Sequence, residues 1–538
     1  MTTGRIGIDM KTPDITRRTL LGSTLLGARA ALGKTTGPPI AETLSGRVRG
    51  YTAEGVAIFR GILYGGSVDG RARFLPAPKP EKWAGVRDAV ATGPRAVQGP
   101  GNIFLSETIG EYFGGGRPDR LDLARQADSE NCLALNVLTK GLRGKRPVMV
   151  YIHGGGFTGG SSLLTLFSDR FVREEDVVLV GVNHRINVFG YTYLGGLSDG
   201  YPDSGNLGQL DLVAALAWVR DNIAAFGGDP GNVTIFGESG GGAKISALLA
   251  MPAAKGLFHK AIVESGLALR VSTKEQATQR ARVLLGKLGL AENRVDELQQ
   301  IPAAKLFEAG VAGQAPGPGI GPVIDGRSIP QQTWEPDAPE TSAGIPMLIG
   351  TCKDESSLFS LKDEALFRLD EAGLRERMAK SGIAESEASD IVSLYRKHHP
   401  NETLTDLYFR IATDRGPRRN GIIQADRKSK QGKGNVFLYY FAWNTPLVDG
   451  KIKAFHTAEL PLAMRLVRFP ESDGLSKRIA GAWAAFARSG SPNRHGLPDW
   501  PAYSASRQAT MIFDAANSGA VDAPCREELA MLGKEPVK

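Results

Sequence analysis

From residue 146 onward the chain alternates short apolar runs with longer stretches of helical periodicity. Pro147–Ile152, Val177–Val182, Val233–Phe236, Ala261–Val263, Pro346–Gly350 and Val436–Tyr440 are apolar or β-branched runs without alternation. A strand with one face in water alternates; a strand apolar at every position is covered on both faces. The pattern predicts an α/β fold with a central, mostly parallel sheet flanked by helices. Leu212, Ala215, Leu216, Val219 and Ile223 recur at helical spacing, and Gly227-Gly228-Asp229-Pro230 ends that helix. Ile479, Ala482, Trp483 and Phe486 form a second stripe. The span 271–430 is more polar and mostly helical. It is expected to be an insertion or cap region within a single catalytic domain covering 39–525, followed by a tail at 526–538.

Composition narrows the function classes. The chain has 538 residues and a formal net charge of +8. Its lysines and arginines are scattered, and no basic helix carries interleaved aromatics, so no nucleic-acid partner is expected. The charge reads as a solvated basic surface, or as steering for anionic substrates. No stretch is apolar for long enough to span a bilayer, so no stable membrane insertion is expected. Cys132, Cys352 and Cys525 form no CxxC pair. Neither a metal site, a redox motif nor a disulfide framework is therefore expected. Thr16-Arg17-Arg18-Thr19-Leu20-Leu21 precedes a weakly apolar run ending at Ala28-Arg29-Ala30. Residues 1–38 thus read as a leader of the twin-arginine export type, giving a periplasmic or secreted protein. If the leader is not a signal, the protein is cytoplasmic.

The candidate chemistry begins at Gly237-Glu238-Ser239-Gly240-Gly241. This G-x-S-x-G follows a strand and precedes a helix-compatible stretch, as a nucleophile elbow requires. The sharp turn lifts Ser239 above the sheet edge in a strained backbone. Gly237 and Gly241 let neighbouring backbone pass close. Upstream, His153-Gly154-Gly155-Gly156-Phe157 also follows a strand. Glycines expose amide N–H groups without steric cover, so Gly155 and Gly156 are assigned as oxyanion donors, joined by Gly240. Glu238 is expected to be structural, its place on the elbow turning it away from the histidine.

In this arrangement the order is serine, acid, histidine. His153 and His184 precede the serine. His259 lies close behind the elbow helix, His398 and His399 sit in a charged helix end, and His495 is in a polar turn. His456, in a loop soon after the strand at 436–440, remains as general base. The acid belongs on a loop after an earlier strand, where Asp354 and Glu355 stand side by side; spacing does not choose between them.

With these residues in view, the chain resembles the type-B carboxylesterase/cholinesterase family, over about 40–520. The resemblance rests on Ser129-Glu130-Asn131-Cys132-Leu133, the His-Gly-Gly-Gly-Phe motif, Asn183 to Gly190, Gly205 to Gly208, Trp218 to Gly242, Leu248 to Gly266, Lys353-Asp354-Glu355, Phe455 to Pro461 and Ala482 to Asn493. It implies the α/β-hydrolase fold, a deep gorge leading to the serine, and Glu355 as the acid partner of His456. It implies hydrolysis of small to medium organic esters through an acyl-enzyme, with no cofactor. Carbamate or amide hydrolysis by the same triad, or a non-catalytic binding role, are the alternatives. Three departures stand out. Relatives usually carry Ser-Ala-Gly where Ser239-Gly240-Gly241 stands, and often glycine where Ser356 stands. Many pair the cysteine equivalent to Cys132 with one near Gln98; none is there, so a buried free thiol is expected. The resemblance also places 99–125 over the gorge, with Phe104, Tyr112, Phe113 and Gly114–Gly116 as a mobile apolar lip.

Overall fold

The computed structural model describes residues 37–99, 107–117, 126–311 and 319–533. The leader at Arg17-Arg18 and the loop residue Phe104 lie outside the described residues. The frame is an 11-stranded sheet. Its strands, in chain order, are β1 (Tyr51–Ala53), β2 (Val56–Leu63), β3 (Ala134–Thr139), β4 (Arg146–Ile152), β5 (Val178–Val182), β6 (Gly228–Glu238), β7 (Lys260–Glu264), β8 (Met347–Cys352), β9 (Val436–Phe441), β10 (Ala509–Phe513) and β11 (Gly519–Asp522). Across the sheet they lie in the order β11-β10-β9-β8-β7-β6-β4-β5-β3-β2-β1. Every neighbouring pair from β10 to β5 is parallel. The flanks, β11 on one side and β3 to β1 on the other, are antiparallel. A small second sheet joins Ile40–Thr43, Gly46–Arg49 and Val86–Asp88.

Two cores explain the unbroken apolar runs. Val148, Val150 and Ile152 of β4 pack with Leu212, Ala215, Leu216 and Val219 of the helix Leu207–Asn222. Met149 and Tyr151, pointing the other way, pack with Ile479, Ala482, Trp483 and Phe486 of the helix Asp473–Ser489. Successive side chains on a strand face opposite ways, so a strand covered twice is apolar throughout. Gly227 ends the helical segment after Asn222 at φ 75°, a conformation that suits glycine.

The span 271–430 holds the strand read at Pro346–Gly350 between two mostly helical parts. β8 runs through its middle as a fully buried strand, leaving helices from Lys274 to Val311 before it and from Glu371 to Lys430 after it. The segment after 525 is folded in as far as the helix Arg526–Met531. Its Glu528 is buried and lies 2.9 Å from His398 Nδ1. His398 is thereby a packed tie between segments and not a solvated helix end.

Candidate active site

β6 ends at Glu238, and the helix Gly240–Leu248 starts just past the corner. Ser239, at that corner, has φ 55° and ψ −124°. A side chain held at such positive φ costs on the order of 1–3 kcal/mol, which the surroundings must offset. They do so through hydrogen bonds: Ser239 N donates to Glu264 O at 2.8 Å, and Ala243 N donates to Ser239 O at 3.0 Å. A Cβ on Gly237 or Gly241 would stand 2.5 Å or 2.1 Å from Ile152 O, so β4 can approach the elbow only because both are glycine.

His456 lies on the loop that follows β9, and Glu355 lies just beyond β8. Nε2 of His456 is 2.8 Å from Ser239 Oγ. Nδ1 is hydrogen-bonded to Glu355 Oε2. The other Glu355 oxygen accepts from Ser265 Oγ at 2.6 Å and from Cys352 N at 2.9 Å. His456 and Glu355 are buried while Ser239 is partly exposed. With a carboxylate on Nδ1, the neutral ring carries its proton there and turns the Nε2 lone pair to the serine. A hydroxyl so placed can attack an acyl carbon as its proton passes to the ring. The exposed ring of Phe359 lies 5.1 Å from the imidazole, centroid to centroid.

Asp354, the other half of the sequence pair, serves the same loop differently. Its Oδ2 accepts from Ala454 N at 3.1 Å, and its amide donates to Ala454 O at 2.9 Å. The two neighbouring carboxylates thus divide the work: one meets the imidazole and one fixes the backbone that carries it. Burial pushes the Asp354 carboxyl up to about 6.

Glu238 corrects the sequence reading. Its Oε1 lies 3.3 Å from His456 Nε2 and has no hydrogen-bond partner. The elbow brings the residue before the serine up to the ring nitrogen, not away from it. Burial, reinforced by Glu459, Glu355 and Glu264, pushes the Glu238 carboxyl well up. Glu264, pushed up to about 8 by burial and Glu459, accepts from Trp483 Nε1 at 3.1 Å. Glu459 receives Cys352 Sγ at 2.8 Å and Tyr439 OH at 3.0 Å. Sequence reasoning missed this buried carboxyl layer; the acidic positions adjoining Ser239, Ser265 and the His456 loop were its only signal.

Gly155 and Gly156 follow β4 at φ 82° and 60°. Among the described residues neither amide donates a hydrogen bond. Gly156 N would stand 2.5 Å from a Cβ on Gly240, so the predicted donors are brought side by side at the elbow. The loop is held from several sides. Asn187 N donates to Phe157 O at 2.6 Å, and the Gln98 side chain both donates to Gly160 O and accepts from Gly160 N. Lys244 Nζ donates to His153 O at 2.9 Å and to Gly156 O at 2.8 Å. His153 and His184 stack at 4.5 Å, and burial with Lys244 nearby pushes His153 down to about 3. Both rings are neutral spacers beneath the loop, since His184 is lowered as well.

Tyr112 is no lip residue. It is fully buried, donates its hydroxyl to Ala458 O at 2.6 Å and packs on Phe455 and Phe469, anchoring the loop that bears His456. Ser356 sits in the 3-10 turn Glu355–Ser360 without positive φ, so nothing there calls for glycine. Cys132 is a buried free thiol. His399, Cys525 and Glu528 bring donor atoms within 4.8 Å of one another, a grouping that cysteine spacing did not foretell. Arg410 beside His399 and Arg418 beside Cys525 oppose a cation there. No described helix is long and apolar enough to cross a membrane.

The carboxylesterase family model matches residues 37–530. The para-nitrobenzyl esterase of Bacillus subtilis strain 168 is 37% identical over 88% of this chain and 95% of its own. The phenmedipham hydrolase of Pseudarthrobacter oxydans is 31% identical over 88% and 94%. Among solved structures, a Geobacillus stearothermophilus carboxylesterase superposes with TM-score 0.78 at 37% identity, covering 92% of this chain and 100% of that one.

Proposed function

Because the chain belongs to the carboxylesterase family and is a carboxylic-ester hydrolase, we propose that it works through an acyl-enzyme on Ser239. His456 takes the Ser239 proton as the hydroxyl oxygen bonds to the ester carbonyl carbon. The amides of Gly155, Gly156 and Gly240 hold the oxyanion that forms. The tetrahedral centre collapses, the C–O bond to the alcohol breaks, and His456 returns the proton to the leaving oxygen. Water then attacks the acyl-serine by the same route and releases the acid. Glu355 keeps the ring in the working tautomer and stabilises the imidazolium. The 2.8 Å contact between Ser239 Oγ and a carboxylate-oriented His456 supports the reading most directly. The substrate class is small-molecule esters.

A fluorophosphonate probe followed by peptide mass spectrometry tests the nucleophile. Label should fall on the peptide containing Ser239 and vanish in Ser239→Ala; label retained in that variant would defeat the assignment.

Export is the reading that the Arg17-Arg18 leader supports. Fractionating cells that express the full chain and its Arg17→Lys/Arg18→Lys variant tests it. Equal distribution of the two would count against a twin-arginine route.

A further inference from the structure

Lys244 is wholly buried and, among the described residues, has no carboxylate within ion-pairing distance. An ammonium taken out of water without a counter-ion is among the least favourable placements in a protein. It persists only where its hydrogen-bond partners repay the loss of hydration. Here those partners are two carbonyls, His153 O at 2.9 Å and Gly156 O at 2.8 Å, with the Phe157 ring 5.6 Å from Nζ. All belong to the loop that carries the oxyanion donors.

We propose that Lys244 is a positioning residue for the oxyanion hole, clamping the two carbonyls that flank Gly154–Gly156 so that the Gly155 and Gly156 amides are fixed. The proposal rests on the reading of those amides as oxyanion donors. Consecutive glycines at positive φ have a wide choice of conformations, and a preorganised hole needs one. Holding the 153–154 and 156–157 peptide planes removes that choice for the two planes between them.

Gly240 belongs to the same device. It stands four residues before Lys244 in the helix Gly240–Leu248, hence on the same helical face. A Cβ on Gly240 would stand 2.1 Å from Gly156 O, the atom that Lys244 grips. The Gly156 carbonyl reaches the ammonium past a position that an alanine would block.

Lys244→Met keeps the length of the side chain and removes the charge and the donors. Its kcat on para-nitrophenyl acetate should fall roughly ten- to hundredfold, with KM changed little. The Ki of a trifluoromethyl ketone, which forms the tetrahedral oxyanion on the serine, should rise in parallel. A melt of each variant shows that it is folded when kcat and Ki are read, since removing the donor leaves two buried carbonyls unpaired. If the methionine variant does not fold, Lys244→Gln, which retains one donor arm, is read by the same criteria. Wild-type kcat and ketone affinity in the folded variant would overturn the clamp alone. Failure of the ketone to inhibit the wild-type enzyme would instead remove the oxyanion-hole reading, and the clamp with it.

Discussion

Glu238 Oε1 and Ser239 Oγ both approach His456 Nε2, at 3.3 Å and 2.8 Å. The first has no other partner, so it is available when the ring gains its second proton. An oxygen facing an imidazolium is worth more than one facing a neutral ring. Glu238→Gln keeps the shape but cannot become a carboxylate when the imidazolium forms. Its kcat/KM on a para-nitrophenyl ester should fall about tenfold or more, with Tm little changed. Unaltered turnover would mean that the contact is only packing.

Glu355→Gln should do more damage. The amide can place N–H against Nδ1 and so favour the tautomer that points a proton at the serine. By analogy with other triads, kcat should drop by roughly 10⁴ while the protein stays folded. Steady-state kinetics beside a circular-dichroism melt separates the two effects.

Tyr112→Phe removes the hydroxyl that donates to Ala458 O. Stability should fall by about 1 kcal/mol in denaturant unfolding. Because Ala458 lies two residues from His456, kcat should also decline, and more than in a control substitution of equal stability cost elsewhere. Equal losses in both would mean that the anchor is merely structural.

Asp354 gives a pH signature. Its folded-state value is raised by burial from the ordinary 3.8 to about 6. The native site therefore favours the protonated form. That contribution is full below about 4 and is lost as pH rises through about 6. The loss is on the order of 3 kcal/mol if the whole shift is expressed. Asp354→Asn keeps an acceptor for Ala454 N and cannot ionise, so its stability should vary less between pH 4 and 7. Matching slopes for wild type and variant in urea titrations across that range would contradict this.

What could be read from the sequence had a physical reason for being readable. The strands β4 to β9 are covered on both faces, so their composition alone announces them. The elbow and the glycine loop need particular residues at fixed spacing, which made Ser239, Gly155, Gly156 and Gly240 visible. His456 emerged by elimination, whereas the tie between Asp354 and Glu355 was broken only by resemblance. The flanking strands escaped because their patterns are mixed: β3 carries Asn136, whose buried side chain accepts from Gly61 N where β2 shifts register. Glu238 and Tyr112 were misread because their placement depends on how loops far apart in sequence fold over one another.

Ser239 and His456 are 217 residues apart, and β7 and β8 lie between the strands that carry them. The hydroxyl and the imidazole therefore meet only after the chain has been made past residue 456 and β6 to β9 have settled into register. A nascent polypeptide, or a proteolytic fragment ending before β9, has the serine without the imidazole. Hydrolysis thus doubles as an assay for completed assembly, silent until the middle of the sheet has closed.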